Sequence, residues 1–343
     1  MAPTLATRKL GKNGPSIPAL GFGLMGLSSF YGKTESDEER FKVLDRAYAL
    51  GETFWDSADI YGDSEDLLGK WFAKTGKRND IFLATKFANK IVGEGHEMKR
   101  SIDSSPEYCK QACEKSLKRL GVETIDLYYC HRVDGKTPIE RTVEAMVELK
   151  KAGKIKYLGL SEVSSDTLRR AEKVHHIDAV QIEYSPFATD IEQPQINLLA
   201  TCRELGIATV AYSPLGRGLL TGVYKSPADF EDGDFRKFSP RFSDENFPKN
   251  LKLVDGIQEL AKKKGCTAGQ LTLAWLMAQG EDILPIPGTK KIKYLEENLG
   301  ALDVSLTDEE VKEIRQLVDN AEVHGSRYPE AMMSSLFADT PAL

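Results

Sequence analysis

Eight short apolar segments recur along the chain, and most of them end at a polar or glycine residue. They are rich in Val, Ile, Leu and Tyr without regular polar alternation, which is typical of parallel strands buried on both faces. Between them lie stretches with helical periodicity, including 36–50, 107–120 and 139–152. The segments end at Gly23, Asp56, Lys86, His131, Glu162, Ser185, Ser213 and Thr289.

The alternation of strands and helices predicts an α/β fold, a (β/α)8 TIM barrel. Active sites of such barrels lie at the C-terminal ends of the strands, so the polar residues that end the segments fall where catalysis is expected. We expect a single domain over residues 1–343, because the chain shows no Ser/Gly/Pro-rich linker that would mark a boundary.

Charge and cysteine content narrow the class of partner. Lys and Arg number 46 against 52 Asp and Glu, a net charge of −6, which does not favour a nucleic-acid partner. No signal peptide or membrane-spanning run is recognisable, so we expect a cytoplasmic protein with a small-molecule partner. The five cysteines include no CxxC pair, and we predict neither disulfides nor a metal site. Cys109 and Cys113, four residues apart, are expected to pack in the core.

Four polar residues on three neighbouring strand units form a candidate proton-delivery site. Three of them end strands, and Tyr61 follows five residues after Asp56 in the loop DSADIYG. An ammonium about 4 Å from a phenol favours the phenolate by roughly 4 kcal/mol at an effective dielectric near 20. Lys86 is therefore expected to lower the pKa of Tyr61, with Asp56 as its counter-charge. His131 is expected to donate a hydrogen bond that orients a substrate oxygen.

The alternative for each of these residues, taken singly, is a structural ion pair or a cap. Four compatible groups together favour a site, but none of them is a hydride donor, so a cofactor is implied. Its expected position is the segment 285–298, at the eighth strand end, where barrels commonly bind phosphate. The segment supplies Gly288 and Thr289 as donors and Lys290, Lys291 and Lys293 as cations; a merely solvated helix face is the alternative.

Eight motifs along the chain carry a resemblance to a known family. They are LGFGLMGLS (20–28), FWDSADIYGDSEDLLG (54–69), ATKF (84–87), DLYYCHRVD (126–134), GLSEVS (159–164), QIEYSPF (181–187), AYSPLGRGLLTG (211–222) and PIPGTKKIKYLEENLGA (285–301). Single motifs are unspecific, but their combination is specific. With them the chain resembles the aldo-keto reductase family along nearly its whole length, in a branch with plant- and fungal-type reductases similar to pyridoxal reductase or perakine reductase.

The resemblance implies NADPH-dependent reduction of aldehydes or ketones to alcohols, with Tyr61 as general acid, Lys86 and Asp56 tuning it, and His131 orienting the carbonyl. It also implies a set of positions for NADPH/NADP+. These are Gly23, Leu24 and Met25 near the nicotinamide ribose, Ser161 and Gln181 at the carboxamide, Tyr212 stacked on the ring, Ser213, Leu215, Gly216 and Arg217 at the pyrophosphate, Thr289 and Lys290 at the 2′-phosphate, Glu297 and Asn298 at the adenine, and also Asp56, Gly288 and Tyr294.

Two residues qualify the family pattern. Glu162 stands where many members carry asparagine, and an ionised carboxylate cannot donate a hydrogen bond to the carboxamide. His131 stands where the branch that reduces steroid C=C bonds carries glutamate, so histidine favours C=O reduction.

Segments outside the strands are expected to shape the substrate site. Turn signals predict that residues 7–18 form a hairpin that closes the barrel bottom, as in this family. The long segment 216–250, with five phenylalanines, is expected to be functional and to close over the cofactor. An extra helix is predicted over 308–319, and the stretch after it either lines the substrate pocket or packs on the barrel. The substrate pocket is expected to include Phe30, Tyr31, Phe87 and Arg132.

Two other functions remain open on the sequence. One is an NADPH-binding regulatory subunit, like the aldo-keto-type β-subunits of potassium channels; the short N-terminus, without an inactivation-type segment, speaks against it. The other is an aldolase- or isomerase-like barrel that uses Lys86 as a Schiff-base amine. The sequence leaves the physiological carbonyl substrate and the oligomeric state undetermined.

Overall fold

A computed structural model describes residues 5–92 and 99–343. Its strands are β1 (Thr7–Lys9), β2 (Ser16–Pro18), β3 (Phe22–Gly23), β4 (Phe54–Asp56), β5 (Phe82–Phe87), β6 (Asn89–Val92), β7 (Lys99–Ile102), β8 (Ile125–Cys130), β9 (Ile155–Ser161), β10 (Ala179–Glu183), β11 (Ala208–Tyr212) and β12 (Ile283–Pro285). Its helices are α1 (Met25–Ser28), α2 (Asp37–Ala49), α3 (Ser64–Thr75), α4 (Pro106–Leu120), α5 (Ile139–Lys151), α6 (Ser165–Val174), α7 (Leu198–Leu205), α8 (Phe247–Lys264), α9 (Ala268–Met277), α10 (Ile292–Leu299), α11 (Asp308–Asp319) and α12 (Glu330–Met333).

Eight strands form one parallel sheet in the order β12-β11-β10-β9-β8-β5-β4-β3. The two edges meet: Gly21 N donates to Pro285 O at 2.9 Å and Gly23 N to Pro287 O at 3.2 Å, and Gly23 forms a parallel bridge with Gly288. A Cβ at Gly288 would lie 2.6 Å from Gly23 O, so glycine is required where the strands approach. The sheet therefore closes into the predicted (β/α)8 barrel.

Residues of alternating strand positions face either the barrel interior or the helix layer. The interior cluster includes Phe54, Ala84, Leu127, Tyr129 and Val210, all buried. The layer between sheet and helices contains the intervening strand residues and the apolar helix faces. Cys109 and Cys113 lie in this layer, as expected. No helix among the described residues is long and apolar enough to cross a membrane.

Helix boundaries follow the capping residues. Ser36 caps α2 by accepting a hydrogen bond from Glu39 N, and Thr307 forms a capping box with Glu310 at the start of α11. The predicted helices at 36–50, 107–120, 139–152 and 308–319 thus agree with α2, α4, α5 and α11 to within one residue at each end.

The predicted N-terminal hairpin is confirmed, and it closes the bottom of the barrel. Strands β1 and β2 pair antiparallel, and Leu10 and Ile17 join the interior cluster of the barrel. Lys12 N donates to Gly206 O at 2.7 Å, which fixes the turn against the loop before β11. The candidate active site lies at the opposite end of the barrel, where the strands have their C-terminal ends.

Two insertions surround that open end. Strands β6 and β7 form an antiparallel hairpin after β5, which the sequence analysis did not predict. The segment 216–250 contains short 3₁₀ turns and the start of α8, and Phe230, Phe242 and Phe247 form a buried aromatic cluster. Three of its five phenylalanines therefore serve local packing.

The C-terminal segment returns to the barrel mouth beside β9. Ala338 N donates to Glu162 O at 2.8 Å, and Ser164 N donates to Ala338 O at 3.1 Å. Further along, Arg170 donates to Thr340 O at 2.8 Å. The chain end is thus held against the end of β9, which carries the predicted site residue Ser161 and its neighbour Glu162.

Candidate active site

The predicted site residues share the inward-facing positions of their strands. Lys86 follows Ala84 of the interior cluster by two residues, and His131 follows Tyr129 in the same way. Because strand side chains alternate between faces, residues two apart point to the same side. The structure therefore brings together, at the open end of the barrel, Asp56, Lys86, His131, Ser161, Gln181 and Tyr212.

Lys86 and Asp56 form a fully buried ion pair at the centre of the mouth. Lys86 Nζ also donates to Ser57 O at 2.6 Å, and Gln181 Nε2 donates to the other carboxylate oxygen of Asp56 at 2.8 Å. Burial alone lowers the pKa of Lys86, but Asp56 and Tyr61 outweigh burial and raise it above the ordinary lysine value. Lys86 is therefore an ammonium at neutral pH.

Tyr61 lies beside this ion pair, with its hydroxyl 3.5 Å from Lys86 Nζ. A tight turn places it: Tyr61 N donates to Ala58 O, and Gly62 adopts φ +55, where a Cβ would lie 2.8 Å from Ser28 O. The expected net decrease in the pKa of Tyr61 is wrong. Burial raises the pKa above 10, and the ammonium of Lys86 offsets only part of that rise.

His131 faces Tyr61 edge to face, with ring centroids 5.9 Å apart. Burial, and then the cations Arg132 and Lys86, lower the pKa of His131 well below 6.5, so its imidazole is neutral at pH 7. Its Nδ1 lies 2.9 Å from the side-chain amide of Asn89, on the unpredicted hairpin. The signal that could have found Asn89 is its position, a polar residue just past the end of β5.

Glu162 ends β9 in the left-handed backbone region, at φ +53, and is fully buried. Its carboxylate accepts hydrogen bonds from Tyr212 Oη at 2.6 Å and from both terminal nitrogens of Arg327 at 3.2 Å. Arg327 lies 165 residues away along the chain and was not predicted as a site residue. Glu162 is thus neutralised by a cation that the C-terminal segment supplies.

The residues expected at a cofactor pyrophosphate form a bend directly after β11. Ser213, Gly216 and Arg217 have φ of +48, +56 and +56. Arg217 is buried and donates to Ser239 Oγ at 2.9 Å, with Glu183 at 3.5 Å. Three arginines, Arg217, Arg241 and Arg327, lie within 3.7 Å of Glu183. Because Arg327 also pairs with Glu162, two glutamates face three cations there, and the excess of one positive charge suits an anionic ligand.

The residues expected near a 2′-phosphate and adenine lie on the other side of the mouth. Gly288 is exposed and Thr289 and Lys290 are partly buried just before α10, while Tyr294, Glu297 and Asn298 lie on that helix. Lys290 Nζ donates to the backbone carbonyls of Tyr31 at 2.7 Å and Lys33 at 3.2 Å, and it lies 3.7 Å from Glu231. Lys290 thus joins the loop after α1 to the segment 216–250.

The remaining residues expected at the cofactor differ in the exposure of their side chains. Gly23 and Met25 are partly exposed, whereas the side chain of Leu24 is buried in the layer between sheet and helices. Leu24 N donates to Asp56 O at 2.9 Å, so this residue fixes the backbone between two strand ends. Leu215 is buried against α9 and α10. Any cofactor contact of Leu24 is therefore restricted to its backbone.

Of the residues expected in the substrate pocket, Phe30 and Arg132 lie beside the site, whereas Phe87 does not. Phe30 lies edge to face on Tyr61, with ring centroids 6.4 Å apart, and Arg132 donates to Ser161 Oγ at 3.2 Å. The placement of Phe87 in the pocket is wrong. Phe87 is fully buried and stacks on Tyr128 in the helix-side layer, 5.1 Å between centroids, because it is one residue beyond inward-facing Lys86.

The segment 216–250 and the C-terminal segment meet above the mouth. The ring of Phe235 packs against Phe30 at 6.3 Å and against Tyr328 at 6.1 Å between centroids, and Phe235 N donates to Phe30 O. Tyr328 Oη lies 3.3 Å from Tyr212 Oη. Aromatic side chains from three separate segments therefore pack against one another beside Tyr61 and Tyr212.

Comparison with known proteins agrees with this geometry. The family model for the aldo/keto reductase family matches residues 19–319. Aldo-keto reductase str7 of Strobilurus tenacellus is 57% identical over 344 residues, covering 99% of both chains. Aldo-keto reductase yakc [NADP(+)] of Schizosaccharomyces pombe is 53% identical over 342 residues, also 99% of both chains.

Similarity extends to solved structures. The glycerol dehydrogenase AKR11B4 from Gluconobacter oxydans superposes with a TM-score of 0.83 at 28% sequence identity, covering 93% of this chain and 97% of that one. The family match and the two relatives span the barrel strands that carry Asp56, Lys86 and His131. On this evidence the chain is a member of the aldo-keto reductase family and has its oxidoreductase fold.

Proposed function

We propose that this protein reduces aldehydes or ketones to alcohols with NADPH, and that Tyr61 is the general acid. The observation that carries the proposal is the buried array in which Lys86 joins Asp56 to Tyr61, beside a neutral His131. The Schizosaccharomyces pombe relative, aldo-keto reductase yakc [NADP(+)], carries NADP(+) in its name, which supports the choice of cofactor.

The residues present fit a phosphorylated dinucleotide. Tyr212 offers a partly buried ring at a strand end, and Ser161 and Gln181 offer polar side chains near it. The cations around Glu183 suit a pyrophosphate, while Thr289 and Lys290, with the neighbouring Lys291 and Lys293, suit a further phosphate. Bound NADPH would supply the hydride that the protein's own side chains lack.

The side chains then divide the proton transfer among them. His131 donates a hydrogen bond to the substrate carbonyl oxygen and so holds it near Tyr61 Oη. Tyr61 gives its phenolic proton to that oxygen as the carbonyl carbon is reduced, and the ammonium of Lys86 stabilises the phenolate left behind. Asp56 keeps Lys86 charged in its buried position.

The raised pKa of Tyr61 is compatible with this role. A group acts as an acid only while protonated, and a pKa above 10 keeps the phenol protonated throughout the neutral range. The developing alkoxide is a stronger base than the phenolate, so the transfer remains favourable. The raised pKa of Lys86 disfavours the Schiff-base alternative, which needs an unprotonated amine.

We also propose that residues 1–343 act as one domain. The contacts of the C-terminal segment with Glu162 and Ser164 support this, since they make both chain ends part of the same barrel.

The test is NADPH consumption by the purified protein with a panel of aldehydes and ketones. Tyr61→Phe should retain NADPH binding, measured by fluorescence titration, and lose about 10²- to 10⁴-fold in kcat, the usual contribution of a positioned acid. Tyr128→Phe is the matched control, because Tyr128 is buried in the helix-side layer. Near-normal turnover of Tyr61→Phe would contradict the acid role. Tight NADPH binding with no turnover of any carbonyl would favour the regulatory-subunit alternative.

A further inference from the structure

The side-chain amide of Asn89 links His131 to Arg100. Asn89 is 3% exposed, and its amide nitrogen lies 2.9 Å from His131 Nδ1. Its amide oxygen accepts from Arg100 Nε at 3.0 Å and also from a terminal guanidinium nitrogen of Arg100. Arg100 itself is exposed at the surface of the hairpin. A chain of hydrogen bonds thus runs from the protein surface to the imidazole at the barrel mouth.

The hairpin β6–β7 lies directly after β5 because the backbone turns sharply at the end of that strand. Ala88 adopts φ +96, and Asp103 N donates to Ala88 O at 2.9 Å, which closes the base of the hairpin. Asn89 pairs with Ile102 and Arg100 with Ile91, so Asn89 and Arg100 are diagonal neighbours across the two strands. Diagonal neighbours are within reach of a long side chain such as arginine.

The donors and acceptors that each side chain carries fix the direction of both hydrogen bonds, from Arg100 to Asn89 and from Asn89 to His131. Arginine carries only donors, so the atom of Asn89 that faces Arg100 must be the amide oxygen. The amide NH₂ of Asn89 must then face His131, and the Nδ1 atom that meets it must accept. A neutral imidazole carries one ring proton, which is left on Nε2.

We propose that Asn89 and Arg100 are positioning residues that hold His131 in the Nε2–H tautomer, with Nε2 as the only donor that the ring presents to a substrate oxygen. The inference rests on the proposed function, in which His131 donates to the carbonyl. It assigns a role to the surface arginine of a hairpin that lies outside the eight barrel strands.

Among the described residues, Asn89 is the one hydrogen-bond partner of the His131 ring, so this contact selects the tautomer. The ring of Tyr61 lies 5.9 Å away between centroids in an edge-to-face arrangement, and His131 N donates to Phe87 O through the backbone. The buried, cation-rich setting keeps the imidazole neutral, and a neutral ring has two tautomers to choose between. The amide NH₂ of Asn89 can only donate to Nδ1, so it excludes the tautomer that carries its proton on Nδ1.

The direct test is long-range ¹H–¹⁵N NMR of the full chain labelled with ¹⁵N-histidine at pH 7.5. The chain has five histidines, and the resonances of His131 are those lost in His131→Gln. In the wild type, we expect an unprotonated Nδ1 and a protonated Nε2. Arg100→Gln should give a mixture of tautomers, because glutamine can present either amide atom to Asn89. Asn89→Asp should move the proton to Nδ1, since a carboxylate can only accept.

A conservative variant separates positioning from mere structure. Arg100→Lys retains a donor-only side chain and should keep the wild-type NMR pattern and kcat. Arg100→Gln should lose about tenfold in kcat, and Asn89→Asp up to about 100-fold, by analogy with the groups that orient metal-bound histidines through their second nitrogen. NADPH affinity should not change in either. Arg141→Met is the matched control, because Arg141 is an exposed arginine on α5, paired only with Glu144 among its described contacts.

A protonated Nδ1 in the wild type would overturn the inference, as would equal effects of Arg100→Lys and Arg100→Gln on the NMR pattern. The NMR measurement needs no substrate, so it is independent of whether the protein is a reductase. A fixed Nε2–H tautomer with near-normal turnover in Tyr61→Phe would contradict the proposed function alone. Loss of turnover in Tyr61→Phe with a tautomer insensitive to Asn89 and Arg100 would contradict this inference alone.

Discussion

Arg327 donates hydrogen bonds from its two terminal guanidinium nitrogens to the two carboxylate oxygens of Glu162, each at 3.2 Å. Both side chains are buried, at 4% and 0% exposure. Glu162 occupies a left-handed backbone position at the end of β9, a conformation that costs a non-glycine residue on the order of 1–2 kcal/mol. The ion pair therefore fixes a strained strand end to the C-terminal segment, directly beside Tyr212.

Arg327→Met should destabilise the protein by about 3–5 kcal/mol, because it leaves the carboxylate of Glu162 buried without its cation. The measurement is urea unfolding at pH 7.5. The double variant Arg327→Met with Glu162→Gln removes the stranded charge and should recover much of the loss. Equal stability of the single and double variants would show that the charge of Glu162 is not what Arg327 compensates.

The fold was predictable because its signal is local. Buried strands such as β5 and β8 are short apolar runs, and α2 and α11 begin at the residues that cap them. The polar residues at the strand ends converge because parallel strands end on one side of the barrel. Asp56, Lys86 and His131 follow from the same reasoning.

What the sequence did not reveal depends on contacts between distant segments. Arg327 meets Glu162 across 165 residues, and no local pattern marks such a pair. The strands β6 and β7 are short and contain few apolar residues, so the alternation of apolar and polar positions that predicts a strand is weak there. The predicted decrease in the pKa of Tyr61 was wrong for a different reason. It included the attraction of the phenolate to Lys86 but not the free-energy cost of burying the phenolate. The wrong placement of Phe87 ignored the alternation of strand side chains.

Phe87→Ala tests that corrected placement. We expect a loss of about 3–5 kcal/mol in the free energy of unfolding, since a fully buried ring stacked on Tyr128 is removed. The KM for carbonyl substrates should remain within about twofold of wild type, a change worth less than about 0.5 kcal/mol. Tyr31 is the predicted pocket residue for comparison, with its ring 5.1 Å from the guanidinium carbon of Arg236, and Tyr31→Ala is expected to change KM. A large change of KM in the folded Phe87→Ala protein would place the ring in the pocket after all.

Lys290→Met should weaken NADPH binding by about 10- to 100-fold while leaving NADH binding unchanged. The reason is the loss of one charge-assisted contact to the 2′-phosphate, worth roughly 1.5–3 kcal/mol. Fluorescence titration with both nucleotides measures the two Kd values. Lys312→Met is the control, because Lys312 is an exposed lysine on α11, outside the segment 285–298. Equal weakening for NADH would mean that Lys290 acts by holding Tyr31 and Lys33 rather than by binding phosphate.

The lowered pKa of His131 predicts how stability depends on pH. Below pH 6.5 the unfolded chain binds a proton at this histidine, whereas the native protein does not until the pH reaches the lower folded pKa. Stability is therefore lost as the pH falls, by up to about 1.4 kcal/mol per pH unit from this group. His131→Gln removes that contribution. Between pH 7.5 and 5.5, urea unfolding should show that the wild type loses about 1.4 kcal/mol more than the variant. Identical losses would mean that His131 binds its proton equally well in the folded and unfolded chains, and that the imidazole at the barrel mouth is not held neutral by burial.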